Sequence, residues 1–208
     1  MISFAITTHN EGNYIRTLLD QLIPFCETTG DEIVILDDNS TDPLTQNLLF
    51  RYADTDRIQL QYKEFKGDFA EHKNYLNSLC TGDYIFQIDA DEYLSDNLLK
   101  YLHDLTGHNP DIDLYWVPRI NIVNGLTPED IARWRWSVND KGHVMFPDYQ
   151  GRLYRNVDTI YWQNKVHERI VGHKNEAHVP AEEDWAIVHN KDIERQRLQN
   201  NYYETLTK

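Results

Sequence analysis

Three short apolar runs, each stopping abruptly on polar or acidic residues, constrain this chain more than any other feature. They read "ISFAITTHNE" from residue 2, "EIVILDDNSTD" from residue 32 and "DYIFQIDADE" from residue 83. Runs this short and this continuous fit strands buried on both faces rather than helices or half-wet strands. The intervening segments carry helical spacing instead. Asn13–Ile23 places Tyr14, Leu18 and Leu22 at i, i+4 and i+8, and Asp42 caps a second helix with Pro43 at its first position. Ile58–Phe65 reads as a third strand, Phe69–Leu79 as a third helix, and Ser95 opens a helix running to about Leu105. A βαβαβαβ order with buried strands predicts an α/β fold, a mostly parallel sheet covered by helices on both faces. Ligands of such sheets collect at the carboxyl ends of the strands. "THNE", "DDNSTD" and "DADE" all sit there.

The rhythm changes after about residue 110. "DLYWVPRINIV" reads as a strand interrupted by Pro118, a sign of an edge or a bend. Residues 125–175 are rich in Trp, Tyr and Arg with Gly and Pro breaks, which predicts mixed or antiparallel strands, and a polar helix spans Asp192 to about Thr205. No repeat or linker divides the 208 residues, so one domain is expected, with a first half over 1–110 and a second of different character over 111–208. A formal net charge of −14 argues against nucleic acid or an anionic membrane as the main partner. Cys26 and Cys80 are too few for a disulfide framework or a zinc site and read as core thiols in a reducing compartment. "MISFAITTHNEG" lacks the basic start and long apolar stretch of a secretory signal, and no run approaches the roughly 18 apolar residues of a spanning helix. The expected location is the cytoplasm, with peripheral attachment at the inner membrane face left open.

Asp89 and Asp91, two apart at a strand end, can converge on one point. Two carboxylates with open positions beside them suit Mg²⁺ or Mn²⁺ held jointly with a phosphate-bearing substrate. Glu92 is expected to point the other way and to order the following loop. "RWRW" places Trp134 and Arg135 where aromatic faces and a guanidinium could line a saccharide acceptor.

In order and spacing, "ITTHNE", "ILDDNSTD", "HKNYLNSLCTGDYIFQIDADE" and the late "VHE" and "VHN" resemble the family 2 glycosyltransferases. The likeness is greatest to small bacterial and phage members, some of which build lipopolysaccharide. That resemblance implies the GT-A fold and inverting transfer of a sugar from a nucleotide-sugar donor, most often a UDP- or GDP-sugar, to a glycan or lipid-linked saccharide. It implies that Thr8, His9, Asn10 and Glu11 cradle the nucleotide. It sets Asp38 against the base or ribose, Lys73 near the nucleotide, and Asp89 toward the ribose. Asp91 then grips the metal, with Asp89 and the late His189 completing its shell, and Arg152 lies near the donor or on the acceptor side. Inverting transfer needs a base for the acceptor hydroxyl. Glu168 in "VHE" is the candidate, with Glu182, Glu183 and Asp184 of "PAEEDW" as rivals. Two other readings share the acidic strand ends: a sugar nucleotidyltransferase, disfavoured by the single glycine of "THNEGN", and a binding module without a positioned base.

Overall fold

A computed structural model describes residues 1–206, and the side chains of residues 1–200. In chain order the strands are β1 (Ile2–Thr8), β2 (Glu32–Asp37), β3 (Ile58–Tyr62), β4 (Tyr84–Asp89), β5 (Glu92–Leu94) and β6 (Leu114–Val117). They continue as β7 (Arg119–Asn124), β8 (Gln150–Arg155), β9 (Tyr161–Gln163), β10 (Arg169–Val171), β11 (Glu176–His178) and β12 (Ile187–Asp192). The helices are α1 (Asn13–Thr29), α2 (Pro43–Tyr52), α3 (Phe69–Asn77), α4 (Asp96–Lys100), α5 (Leu102–His108), α6 (Pro128–Trp134) and α7 (Ile193–Leu206). The chain forms two compact units that interleave in sequence. One comprises Met1–Tyr93, Asp111–Tyr115 and Gly151–Ala177; the other comprises Leu94–Pro110, Trp116–Gln150 and the chain from His178. The limits therefore do not follow a single division near residue 110.

The main sheet has the order β11-β6-β8-β4-β1-β2-β3. β1 pairs in parallel with β2 and β4, and β2 with β3. The three apolar runs are buried almost throughout, as two-sided burial requires. Their register has a consequence for function. Thr8 lies opposite Asp37 and Thr7 opposite Asp89, so the polar strand ends are level along one edge. β8 then runs antiparallel to β4, with Phe86 opposite Leu153.

Several element limits differ from the sequence reading, each for a local reason. α1 continues past Ile23 to Thr29 with Pro24 inside it. Cys26 extends the buried stripe of Ile15, Leu18, Leu19 and Leu22 by one turn, and that packing outweighs the backbone bond a proline forfeits. The helix stops at Gly30, whose left-handed backbone (φ 82°) lets its N–H close on the Cys26 carbonyl. β3 ends at Tyr62 rather than Phe65, because the Asp38 carboxylate takes the Phe65 N–H away from the sheet. Asp42 caps α2 as expected, accepting from the Thr45 N–H at 2.8 Å. α3 stops at Asn77, within the usual fraying of a helix end. Ser95 precedes α4 and accepts the Leu99 N–H on its backbone carbonyl, but its side chain does not cap the helix; its hydroxyl accepts from the Ala186 N–H, and the expected helix to Leu105 is broken at Tyr101.

In the other unit, β12 runs parallel to β7 with His189 opposite Asn121. α6 starts with a reciprocal capping box between Thr127 and Asp130, and Arg197 of α7 pairs with that Asp130 at 2.9 Å. No helix among the described residues is long and apolar enough to cross a membrane.

Cys26 and Cys80 are buried and unbonded to each other, and burial pushes both thiols up to about 12. With so little thiolate near neutral pH, neither sulfur is a nucleophile in the folded state. Ellman's reagent at pH 8 should leave the native protein unlabelled over minutes and titrate both thiols after unfolding in guanidinium; fast native labelling would show an open site.

Candidate active site

The crowded carboxylates at the end of β4 have a counter-ion within the chain. Arg152 on β8 follows the Phe86–Leu153 pair, and its guanidinium reaches both Asp89 Oδ2 (2.8 Å) and Glu92 Oε1 (2.9 Å). Arg152 is only 4% exposed and Glu92 1%. Burial works against the arginine's charge, but Asp89 and Glu92 outweigh it and hold its pKa above the usual value. Glu92 also accepts the Asp89 N–H through Oε2 at 3.1 Å, which folds the chain back after the strand. Glu92 is thus a buried anchor that shares its cation with Asp89, where the sequence reading had it point away. So deep a guanidinium does not present itself to an acceptor, the role that sequence reasoning set beside its donor-side placement. β4 ends at Asp89, and Ala90 and Asp91 form a turn, so strand alternation does not relate Asp91 to Asp89.

A second constellation joins α3 to the segment after β9. Lys73 Nζ lies 2.7 Å from Glu168 Oε1, across 95 residues of chain. The same ammonium sits 4.4 Å from the Trp162 ring centroid, a cation–π contact. Asn74, the next residue of α3, binds the backbone of Trp162 in both directions, at 2.8 Å each way. One turn earlier, the Phe69 N–H donates to the Lys165 carbonyl. Between Trp162 and Glu168 the chain turns through Asn164 (φ 79°) and His167 (φ 56°), two left-handed residues that aim Glu168 back at the helix. Trp162 is fixed from beneath, its indole N–H donating to the Tyr154 hydroxyl, which in turn bonds Asn77. Glu168 Oε2 makes no hydrogen bond among the described residues.

The first two strand ends form a bonded loop network. The His9 Nδ1 is 2.7 Å from the Asp38 carbonyl, which can only accept, so that nitrogen carries the proton. Its Nε2 then accepts from the Asn10 amide at 2.9 Å. Asn10, itself left-handed (φ 57°), takes the Thr41 and Asp42 N–H groups on its side-chain oxygen. Asp37 is buried and bonds Ser40, whereas Asp38 is half-buried, with Oδ1 on the Phe65 N–H and Oδ2 3.6 Å from His9. Thr8 is buried at the strand end, and its hydroxyl has no partner among the described residues. Glu11 lies partly buried on the same loop.

The remaining candidates belong to the other unit. His189 is buried on β12, its Nδ1 3.2 Å from Asn121 Oδ1. Asn121 donates its amide to Asp148 at 2.7 Å, so its oxygen faces the imidazole and Nδ1 is the nitrogen that donates to it. Burial works against charge on Asp148, but Arg119 and Asn121 outweigh it and hold that carboxyl below the usual range. Trp134 packs against Trp136 at 4.6 Å, with Arg135 in a left-handed cap between them. Glu183, one of the rival bases, is paired with Lys141 at 2.7 Å. Among the described residues no group of three His, Cys, Asp or Glu side chains is arranged to hold a metal ion.

Comparison with known proteins identifies the family and the fold. The family model "Glycosyl transferase family 2" matches residues 3–171. The chain belongs to that family. Over 99% of its length it is 31% identical to the lipopolysaccharide core biosynthesis glycosyltransferase LpsC of Rhizobium meliloti, of which it covers 69%. Glycosyltransferase GlyG of Streptococcus pneumoniae is 27% identical over half of the chain, which spans 34% of GlyG. Crystal structures of TarS from S. aureus share the fold: a TM-score of 0.64 at 16% identity, covering 91% of this chain and 60% of that one. The fold is accordingly the GT-A fold that the sequence implied. TarS is also known in complex with UDP-GlcNAc, with a TM-score of 0.55 at 18% identity, over 88% of this chain and 60% of that one.

Within this family 2 site, sequence reasoning missed the pairing of Glu92 with Arg152 and the seating of Lys73 on Trp162. Only one weak signal pointed to the first: an arginine inside a strand otherwise apolar at its centre, "GRLYR". Arg152→Met should destabilise the fold by about 3–5 kcal/mol, since it strands the Glu92 carboxylate in the interior. Adding Glu92→Met should recover part of that loss. Chemical denaturation of both variants checks it; equal stability of wild type and Arg152→Met would remove Arg152 as counter-ion.

Proposed function

We propose that this protein transfers a glycosyl group from a nucleoside-diphosphate sugar to a hydroxyl of a saccharide acceptor, with inversion, by direct displacement. The observation that carries the reading is the placement of Glu168: one carboxylate oxygen held by Lys73, the other without a hydrogen bond among the described residues, on the unit that carries the level strand ends. Family membership supports the reaction class, and the UDP-GlcNAc complex of TarS supports a UDP-sugar as donor. The name of LpsC supports a lipopolysaccharide or other saccharide acceptor.

In this reading the acceptor oxygen attacks the anomeric carbon and gives its proton to Glu168, while the electron pair of the breaking C–O bond leaves with the diphosphate. Asp38 is half-buried beside His9, placed to accept from a base N–H or a ribose hydroxyl, and Thr8 offers its buried hydroxyl on the same edge. Asp89, steadied by Arg152, is the strand-end carboxylate that would meet the ribose. Asp91 in the turn and Asp89 beside it are hard oxygen donors of the kind that hold Mg²⁺ or Mn²⁺ together with substrate phosphates, and the His189 imidazole is a further nitrogen donor in the chain. Such an ion, when bound, supplies neutralising charge to the diphosphate.

Two measurements test this. In a thermal-shift panel of UDP-, GDP-, CDP- and dTDP-sugars, each with and without Mn²⁺, one nucleotide class should raise the melting temperature, more with the metal present. No shift with any of them counts against the function itself. Glu168→Gln should keep that shift and lose about 10²–10⁴-fold in transfer rate; near-normal turnover would remove Glu168 from the role, and binding without turnover in the wild type would indicate a module rather than an enzyme.

A further inference from the structure

We propose that Lys73 is a positioning residue for Glu168 rather than a contact for the donor nucleotide. The inference rests on Glu168 as the base and assigns it a partner that the family likeness placed elsewhere. Lys73 and Glu168 side chains are 10% and 18% exposed, and their charged atoms are 2.7 Å apart. The ammonium is also seated on the Trp162 ring, which is held by Asn74 and Tyr154. To reach a nucleotide phosphate, Lys73 would have to abandon both contacts and leave Glu168 partly buried without its hydrogen-bonded cation, with only the field of Arg152 in its place, which is costly. Held where it is, the lysine does two things for the carboxylate. It fixes Oε1, so that Oε2 is the oxygen presented to a proton. It also ties a loop built on two left-handed residues to a helix, restricting the swing of Glu168. Positioning of this kind matters because a displacement of about 1 Å at a catalytic group can cost roughly 10²-fold in rate.

The test separates the two roles by what each moves. The probe is whichever of UDP, GDP, CDP or dTDP the wild-type protein binds, its Kd measured by calorimetry, with transfer kinetics on the matching sugar nucleotide. Lys73→Met should lower kcat about 100-fold with the nucleotide Kd within about twofold of wild type. Lys73→Arg should restore part of kcat, because it keeps the charge and the contact with the ring. The Lys73→Met/Glu168→Gln double variant should be no slower than Glu168→Gln alone, as expected for residues acting as a unit. A nucleotide Kd raised tenfold or more by Lys73→Met overturns the inference and leaves the proposed reaction standing. Additive losses in the double variant overturn it equally. Near-normal turnover of Glu168→Gln overturns both the base and its positioning residue. Should Lys73→Met fail to fold, Lys73→Arg is read the same way: reduced kcat at unchanged Kd supports the role, and a raised Kd removes it.

Discussion

A guanidinium buried among carboxylates is the interaction on which this site depends. The fold brings strand ends level, and in this chain two of those ends, on β2 and β4, are acidic. Without Arg152 the buried Glu92 carboxylate would be left without its cation and would repel the partly exposed Asp89 beside it. Arg152 satisfies both and leaves the end of β4 defined enough to carry chemistry. The strand that supplies it, β8, is also the one that runs against the parallel direction. An antiparallel neighbour brings its early residues to the carboxyl edge of β4, so a side chain near the start of β8 can meet the end of β4. A parallel strand could offer that edge only its own last residues.

Much of the architecture was legible because it follows from short-range chemistry. Continuous apolar runs gave β1, β2 and β4; Asp42 and Pro43 gave the start of α2; and the polar strand ends marked the edge where ligands gather. The misreadings arose where packing outweighed a local rule. Pro24 suggests an end to α1, yet the buried stripe continues to Cys26. Ser95 has the look of a cap, yet its hydroxyl bonds Ala186.

Within the site, the unreadable part was pairing across distance. Glu168 could be named as a base from a three-residue pattern, but nothing in its neighbourhood names Lys73 as its partner. The two meet because α3 packs beside β9, a fact of tertiary structure. Likewise the identity of the cation among Asp89, Asp91 and Glu92 looked like a question about metal ions, and Arg152, sixty residues on from Glu92, is part of its answer.

Asn74 deserves its place in that pairing for a reason of shape. A carboxamide carries an N–H donor and a carbonyl acceptor side by side in one plane, spaced much as they are on a peptide edge. By taking the Trp162 N–H and giving to the Trp162 carbonyl, this side chain acts as a one-residue edge strand for β9, planted on a helix. No other residue of similar size does this: aspartate has no donor, leucine has neither group, and glutamine carries its amide one carbon too far. A residue that composition alone would pass over is therefore the tie by which α3 holds the backbone of β9.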